Sequence, residues 1–165
     1  MYTRLLKLRR VPTLIVRPLV DGDSRTVLEV FERLGDASRR TRFNGPKPCL
    51  SDAELERLAT VDYRHHALVA YVPGDPHPVA IARLVRTSPE AAEIAFAVAD
   101  SYQHRGIGSA LAGELLVDAR TAGITEITAL ASSDNPAALK LLRRTAHVTD
   151  VHYEGPELSI RAAIA

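Results

Sequence analysis

"EIAFAVADSYQHRGIGSALAGELL", Glu93 to Leu116, reads as a strand, a turn and a helix in direct succession. The strand alternates, with Ile94, Phe96 and Val98 on one face and Glu93, Ala95 and Ala97 on the other. The helix opens on Gly106 and Gly108. The first N–H groups of a helix have no partner inside it, and with the dipole they form an anion site. Glycines there let a pyrophosphate approach the backbone, and Arg105 and Gln103 can add donors from the side. The plain alternative is a tight turn with no ligand. A dinucleotide fingerprint needs a third glycine where Leu111 stands, and no Gly-Lys-Ser/Thr ending marks a Walker loop.

Outward from this stretch the chain reads as α/β. "TLIVRPLV" is a first strand ending near Pro18. Asp23 caps a helix whose Val27, Val30, Phe31 and Leu34 share one face. "RFNGPKPCL" reads as loop. Ser51 and Glu54 form a capping box for the next helix, and Leu50 with Leu55 can close a hydrophobic staple. The apolar runs "HALVAYV" and "PVAIARLV", separated by "PGDPH", read as a hairpin. The helix begun near Gly106 ends near Gly123, and "EITALAS" is the strand after it. Asn135 then caps a helix with Pro136 at its first position, through about Arg144. Strands near "DVHY" and "ELSIRAAI" finish the chain. The expected order is strand, two helices, three strands, helix, strand, helix, two strands. An antiparallel meander comes first, and the unit over residues 93–132 supplies a parallel pair by a right-handed crossover.

Composition narrows the function. The 165 residues suit one domain, with a core starting near Thr13. Hydrophobic content of 46% and charged content of 25% are those of a soluble globular protein. The 21 basic and 20 acidic residues nearly cancel, which argues against a nucleic-acid partner. Cys49 has no second cysteine to pair with, and no Cys/His spacing suggests a metal. No apolar run is long enough to span a membrane, and "MYTRLLKLRR" lacks the h-region of a signal peptide, so a cytoplasmic location is expected.

Gln103-His104-Arg105-Gly106-Ile107-Gly108 resembles the acetyl-CoA motif, Gln/Arg-x-x-Gly-x-Gly/Ala, of the GNAT superfamily of N-acetyltransferases. "ITALASSDNPAALKLL" and the element order are similar to that family as well. Two stretches, "RRTRFNGPKPCLSDAELERLATVDYRHHALVAYV" and the opening one, resemble the catalytic domain of bacterial protein lysine acetyltransferases. The resemblance implies a mixed, mostly antiparallel sheet flanked by helices, acetyl-CoA as acyl donor and a protein lysine as acceptor. It implies that Phe96, Ala97 and Val98 run along the pantetheine arm. His104, Arg105, Gly106, Ile107, Gly108 and Ser109 would wrap the pyrophosphate. Asn135 matches an asparagine that touches the cofactor's far side; helix capping is the equal alternative, and both can hold. On this likeness alone, a homodimer through the C-terminal strands is an expectation.

An amine must lose a proton before attacking a thioester, and a carboxylate is a suitable base. Glu93 is the candidate, since Ala95 and Ala97 leave open space on its face, and the family carries a general-base glutamate in this context. A surface strand residue is the alternative, and Glu90 and Asp100 are weaker candidates. Cys49 has no base nearby in sequence. Many family members place a tyrosine general acid where Leu142 stands, which leaves Tyr102, Ser133 and Tyr153 to consider, or no acid at all. Arg39, Arg40 and Arg42 read as a solvated basic loop, with steering of an acidic partner as the alternative. Two rivals stand beside a lysine acetyltransferase: an enzyme for small amines, and a non-catalytic acyl-CoA-binding module.

Overall fold

The computed structural model describes residues 2–11 and 13–164. Its strands are β1 (Arg4–Leu6), β2 (Leu14–Pro18), β3 (His65–Tyr71), β4 (Ala80–Arg86), β5 (Ala91–Val98), β6 (Glu126–Ser132), β7 (His147–Glu154) and β8 (Glu157–Ala163). The helices are α1 (Ser24–Glu32), α2 (Asp36–Phe43), α3 (Asp52–Ala59), α4 (Ile107–Thr121) and α5 (Pro136–Thr145). All strands join one sheet in the order β1-β2-β3-β4-β5-β6-β8-β7. Every neighbouring pair is antiparallel except β5 and β6, as the crossover through α4 requires.

Two cores follow from strand alternation. Leu68, Ala70, Ala80, Ala82, Ala92 and Ile94 face α4, whose Leu111, Leu115 and Leu116 are fully buried against them. Ala67, Val69 and Ile81 face the other way, toward Val27 and Val30 of α1 and Ala59 of α3. The sheet is thus covered by α1–α3 on one side and by α4 and α5 on the other.

Helix ends carry the expected signals. The Thr26 N–H donates to the Asp23 carboxylate at 3.0 Å, and the Ser51–Glu54 capping box is complete. α4 stops in a Schellman arrangement. Gly123 has φ +79°, its N–H donates to the Arg120 carbonyl at 2.9 Å, and Ile124 N–H reaches the Ala119 carbonyl at 3.0 Å.

Two elements differ from expectation. Residues Arg42 and Phe43, assigned to the "RFNGPKPCL" loop, close helix α2, so three helices precede β3 rather than two. α2 buries no residue fully, hence shows no apolar periodicity; its signals are Asp36 in the first turn, Arg40 and Arg42 in the last, and Asn44 at φ +54° as C-cap. Strand β1 was also not foreseen. It is three residues long and is held to α4 by Arg4, which is paired with Glu114 at 2.7 Å and with Asp118.

The turn before α4 is pinned by an ion pair. Arg33 donates to Asp75 at 2.7 Å, and the Tyr102 hydroxyl donates to the same carboxylate at 2.8 Å. The Arg33 hydrogen bond holds the Asp75 carboxyl down at about 2, against an ordinary value near 3.8. A folded-state value below the unfolded one gives stability that is full above about pH 4 and is lost as pH falls toward 2. The melting temperature of Asp75→Asn should therefore lie below wild type at neutral pH and converge with it near pH 2 to 3; parallel curves across that window would show the pair contributes nothing. Asn135 accepts from the Ala138 N–H at 3.3 Å as N-cap of α5. Asn135→Ala should cost about 1 kcal/mol, roughly a 2–4 °C drop in Tm by calorimetry, and Asn135→Ser should recover most of it.

Candidate active site

β5 and β6 pair only from Ala91 to Ile94 against Glu126 to Ala129. Beyond that point β5 runs on to Val98 paired with β4, and β6 runs on to Ser132 paired with β8. The strands splay, and a cavity of about 750 Å³ opens between them, within the range of small-molecule sites. Its walls are the inner edges of both strands, the start of α4, Leu141 and Leu142 of α5, and Ser38, Thr41 and Arg42 of α2.

The glycine motif sits at one end. Gly106 is the N-cap of α4 with φ +87°, a conformation that disfavours any side chain, and the space around its Cα is open. His104, at φ +60°, turns the chain just before it. Among the described residues no side chain accepts a hydrogen bond from the first turn of α4, so its amides face the cavity unclaimed. Gly108 has a packing reason: a Cβ there would lie 3.3 Å from Leu141 Cδ1. Phe96, Ala97, Val98, Gln103, His104, Gly106, Ile107, Gly108, Ser109 and Asn135 all line the same cavity. Asn135 thus combines the capping bond with a place in the wall.

Two of the expected donors are differently placed. The Gln103 side-chain amide donates to Ser38 Oγ and to the Val98 carbonyl, each at 3.1 Å, tying α2 to the end of β5. Arg105 is not in the cavity wall; its guanidinium lies over the Tyr102 ring, 5.0 Å from the centroid. The cations that do line the cavity are Arg10, Lys140, Arg144 and Arg42. Arg10 also donates to the His104 carbonyl at 3.2 Å. Lys140 and Arg144 stand four apart on α5, a spacing that marks one helix face in the sequence. No local pattern marks Arg10.

Glu93 stands beside the other end, one residue before Ile94 and outside the cavity wall. It is exposed on the α1–α3 side of the sheet, opposite Val85 of β4 and Thr128 of β6, and in line with Ala95 and Ala97. Arg42 approaches it from α2. Dehydration pushes the Arg42 guanidinium down to about 10, with repulsion from Arg83 adding and attraction by Glu93 opposing. Leu142, in the place of the tyrosine acid, is 1% exposed and part of the cavity wall. The other acid candidates do not fit. The Tyr102 proton is committed to Asp75, which raises its pKa, and Tyr153 is exposed on β7 away from the cavity. Ser133 is likewise outside the wall, with its N–H bonded to the Pro156 carbonyl at 2.8 Å. Cys49 is exposed and does not line the cavity either.

Comparison with known proteins places this geometry in a family. The model of the acetyltransferase (GNAT) family matches residues 31–147. The acetyltransferase Pat of Mycolicibacterium smegmatis is 38% identical over 133 residues, covering 78% of this chain and 39% of its own length. The chain therefore spans about two fifths of that relative. An acetyltransferase of Pseudomonas aeruginosa is 32% identical over 127 residues, 74% of this chain and 68% of that one. Among solved structures, the GNAT domain of S. lividans PAT superposes with a TM-score of 0.86 at 26% identity, over 98% of this chain and 96% of that chain. A family match spanning both halves of the splay, on a fold shared nearly end to end, makes this chain a member of the acetyltransferase (GNAT) family.

Proposed function

We propose that the chain transfers an acetyl group from acetyl-CoA to a primary amine, that of a protein lysine side chain, by direct attack with Glu93 as base. The observation that carries this reading is the splay itself. It joins unclaimed amides at the start of α4 and an unpaired edge of β5 in one continuous cavity, and the Glu93 carboxylate stands on the same strand one residue before the cavity wall begins at Ile94.

Acetyl-CoA supplies an acetyl group already activated as a thioester. The amides of Gly106 to Ser109, helped by Arg10, Lys140 and Arg144, suit its phosphates. The free edge of β5 from Ala95 to Val98 offers backbone hydrogen bonds to an extended arm, as an added strand would. Glu93 takes a proton from the amine as the C–N bond forms and the C–S bond breaks. A thiol near the reference value of about 8.5 leaves as thiolate without a dedicated acid, which accords with leucine at position 142. The lysine acceptor rests on the resemblance of "RFNGPKPCLSDAELERLATVD" and the opening stretch to bacterial protein lysine acetyltransferases.

Glu93→Gln should lower kcat/KM for the amine by about 10²- to 10⁴-fold in a thiol-release assay, with acetyl-CoA binding kept in calorimetry. Full activity at subsaturating amine would reject the base. Gly106→Val, forced into a left-handed conformation with a side chain in the approach to the amides, should weaken acetyl-CoA binding by about tenfold or more. Unchanged affinity would move the phosphates elsewhere.

A further inference from the structure

Two arginines on the Glu93 side of the sheet lack the partners that dry guanidinium groups need. Arg83, on β4, lies opposite Ala95, and the next residue on its face, Val85, lies opposite Glu93. Arg83 and Glu93 are therefore diagonal neighbours across the β4–β5 pair. Arg83 is 6% exposed. One arm donates to the Arg57 carbonyl at 3.4 Å, in the last turn of α3, while Nη1 is buried with no hydrogen-bond partner among the described residues. Asp62 attracts Arg83, but that carboxylate is already bonded to His65 Nδ1 at 2.8 Å and to the Arg64 N–H at 2.7 Å.

Arg42 stands above this corner. It lines the cavity from α2, feels both Arg83 and Glu93, and makes neither a hydrogen bond nor an ion pair among the described residues. Its only described contact of note is its own neighbour, the Phe43 ring, at 4.9 Å. Two half-neutralised guanidinium groups side by side are costly, because each loses hydration and each repels the other. Capping of α3 accounts for one arm of Arg83 and for nothing of Arg42. Arg42 is only partly exposed and faces the cavity, so it is not simply a solvated surface cation. What would complete the pair is an anion in the part of the cavity lined by Arg42 and by Ala95, the residue opposite Arg83.

We infer that Arg42 and Arg83 form a carboxylate subsite, so that the acceptor is an amine carrying a carboxylate close to the reacting nitrogen. This rests on the acetyl-transfer reading for the position of the amine. Arg42 is the direct ligand, since it lines the cavity, and Arg83 lies opposite Ala95, which lines the same cavity. The carboxylate comes either from an acidic residue next to a lysine or from the acceptor molecule itself; both present the same oxygens to the same forks.

The test compares matched acceptors by thiol release. A peptide with aspartate on both sides of lysine is set against its asparagine twin, and γ-aminobutyrate against its amide. Wild type should favour the carboxylate member of at least one pair by about ten- to hundredfold in kcat/KM, the range for a gained charge-assisted hydrogen bond. The pair that responds identifies the source. In Arg42→Gln and Arg83→Gln the ratio should fall to near unity. No preference in wild type, or a preference that survives both variants, overturns the subsite. An independent arm needs no turnover. Glutarate should raise the wild-type Tm by about a few degrees over glutaramide at equal ionic strength, and not that of Arg42→Gln. If no amine is acetylated while glutarate still discriminates the variant, the transfer reading fails and the anion site stands. If glutarate does nothing to wild type and no acceptor pair is discriminated, the subsite is wrong. Should Arg83→Gln not fold, the partly exposed Arg42 alone decides the outcome.

Discussion

The loss of pairing between β5 and β6 after Ile94 and Ala129 is the constraint on which this molecule is built. A sheet interior with unpaired backbone is unfavourable unless something replaces the missing bonds or keeps the groups in contact with solvent. Part of that demand is met by the protein: the Val98 carbonyl accepts from the Gln103 side chain. The rest of the β5 edge opens into the cavity. Every feature of the proposed chemistry is placed relative to this gap. α4 begins where β5 ends, so its amides close the cavity at one end. Glu93 lies on the last paired stretch, so it holds a fixed position one residue before the cavity wall begins.

The crossover explains why the gap is stable. α4 packs its Leu111, Leu115 and Leu116 under β3 to β5, while α5 inserts Leu141 and Leu142 toward the space that pairing would have filled. Gly108 permits the close approach of α5 to α4, since a Cβ there would press on Leu141. The strands are therefore held apart by packed side chains, and the gap is a property of the core. Arg33, Asp75 and Tyr102 add a polar clamp on the turn that aims α4.

Much of this was legible in the residues. Alternation in β5, the paired glycines, the capping box at Ser51 and the Asn135–Pro136 helix start each carry a local physical signal, and each element lies where that signal puts it. α2 was not legible as a helix because it covers the splay without burying any residue fully, so it lacks the apolar stripe on which helix recognition depends. β1 was missed for a related reason: three residues in a basic segment, fixed by ion pairs to α4, leave no run to read. In the site, Gln103 and Arg105 were assigned from proximity to the motif. Side-chain direction decided otherwise, through Ser38 for one and the Tyr102 ring for the other. Arg10 and Arg83 reach their places by tertiary contact and strand register, which no spacing along the chain announces.

Leucine at position 142 and the arginines near Glu93 bear on the same problem from opposite ends of the reaction. A leucine cannot donate a proton, so under the proposed chemistry the sulfur leaves as an anion in a wall lined mainly by apolar groups. Glu93, having taken the amine proton, is then neutral, and Arg42 is a cation in the same wall. A cationic pair that first holds an acidic acceptor also balances charge as the thiolate forms, which is the moment a tyrosine acid would otherwise serve. On the proposed chemistry, the leucine at position 142 and the cations near Glu93 belong to one arrangement, with electrostatic stabilisation by Arg42 and Arg83 standing in for proton donation.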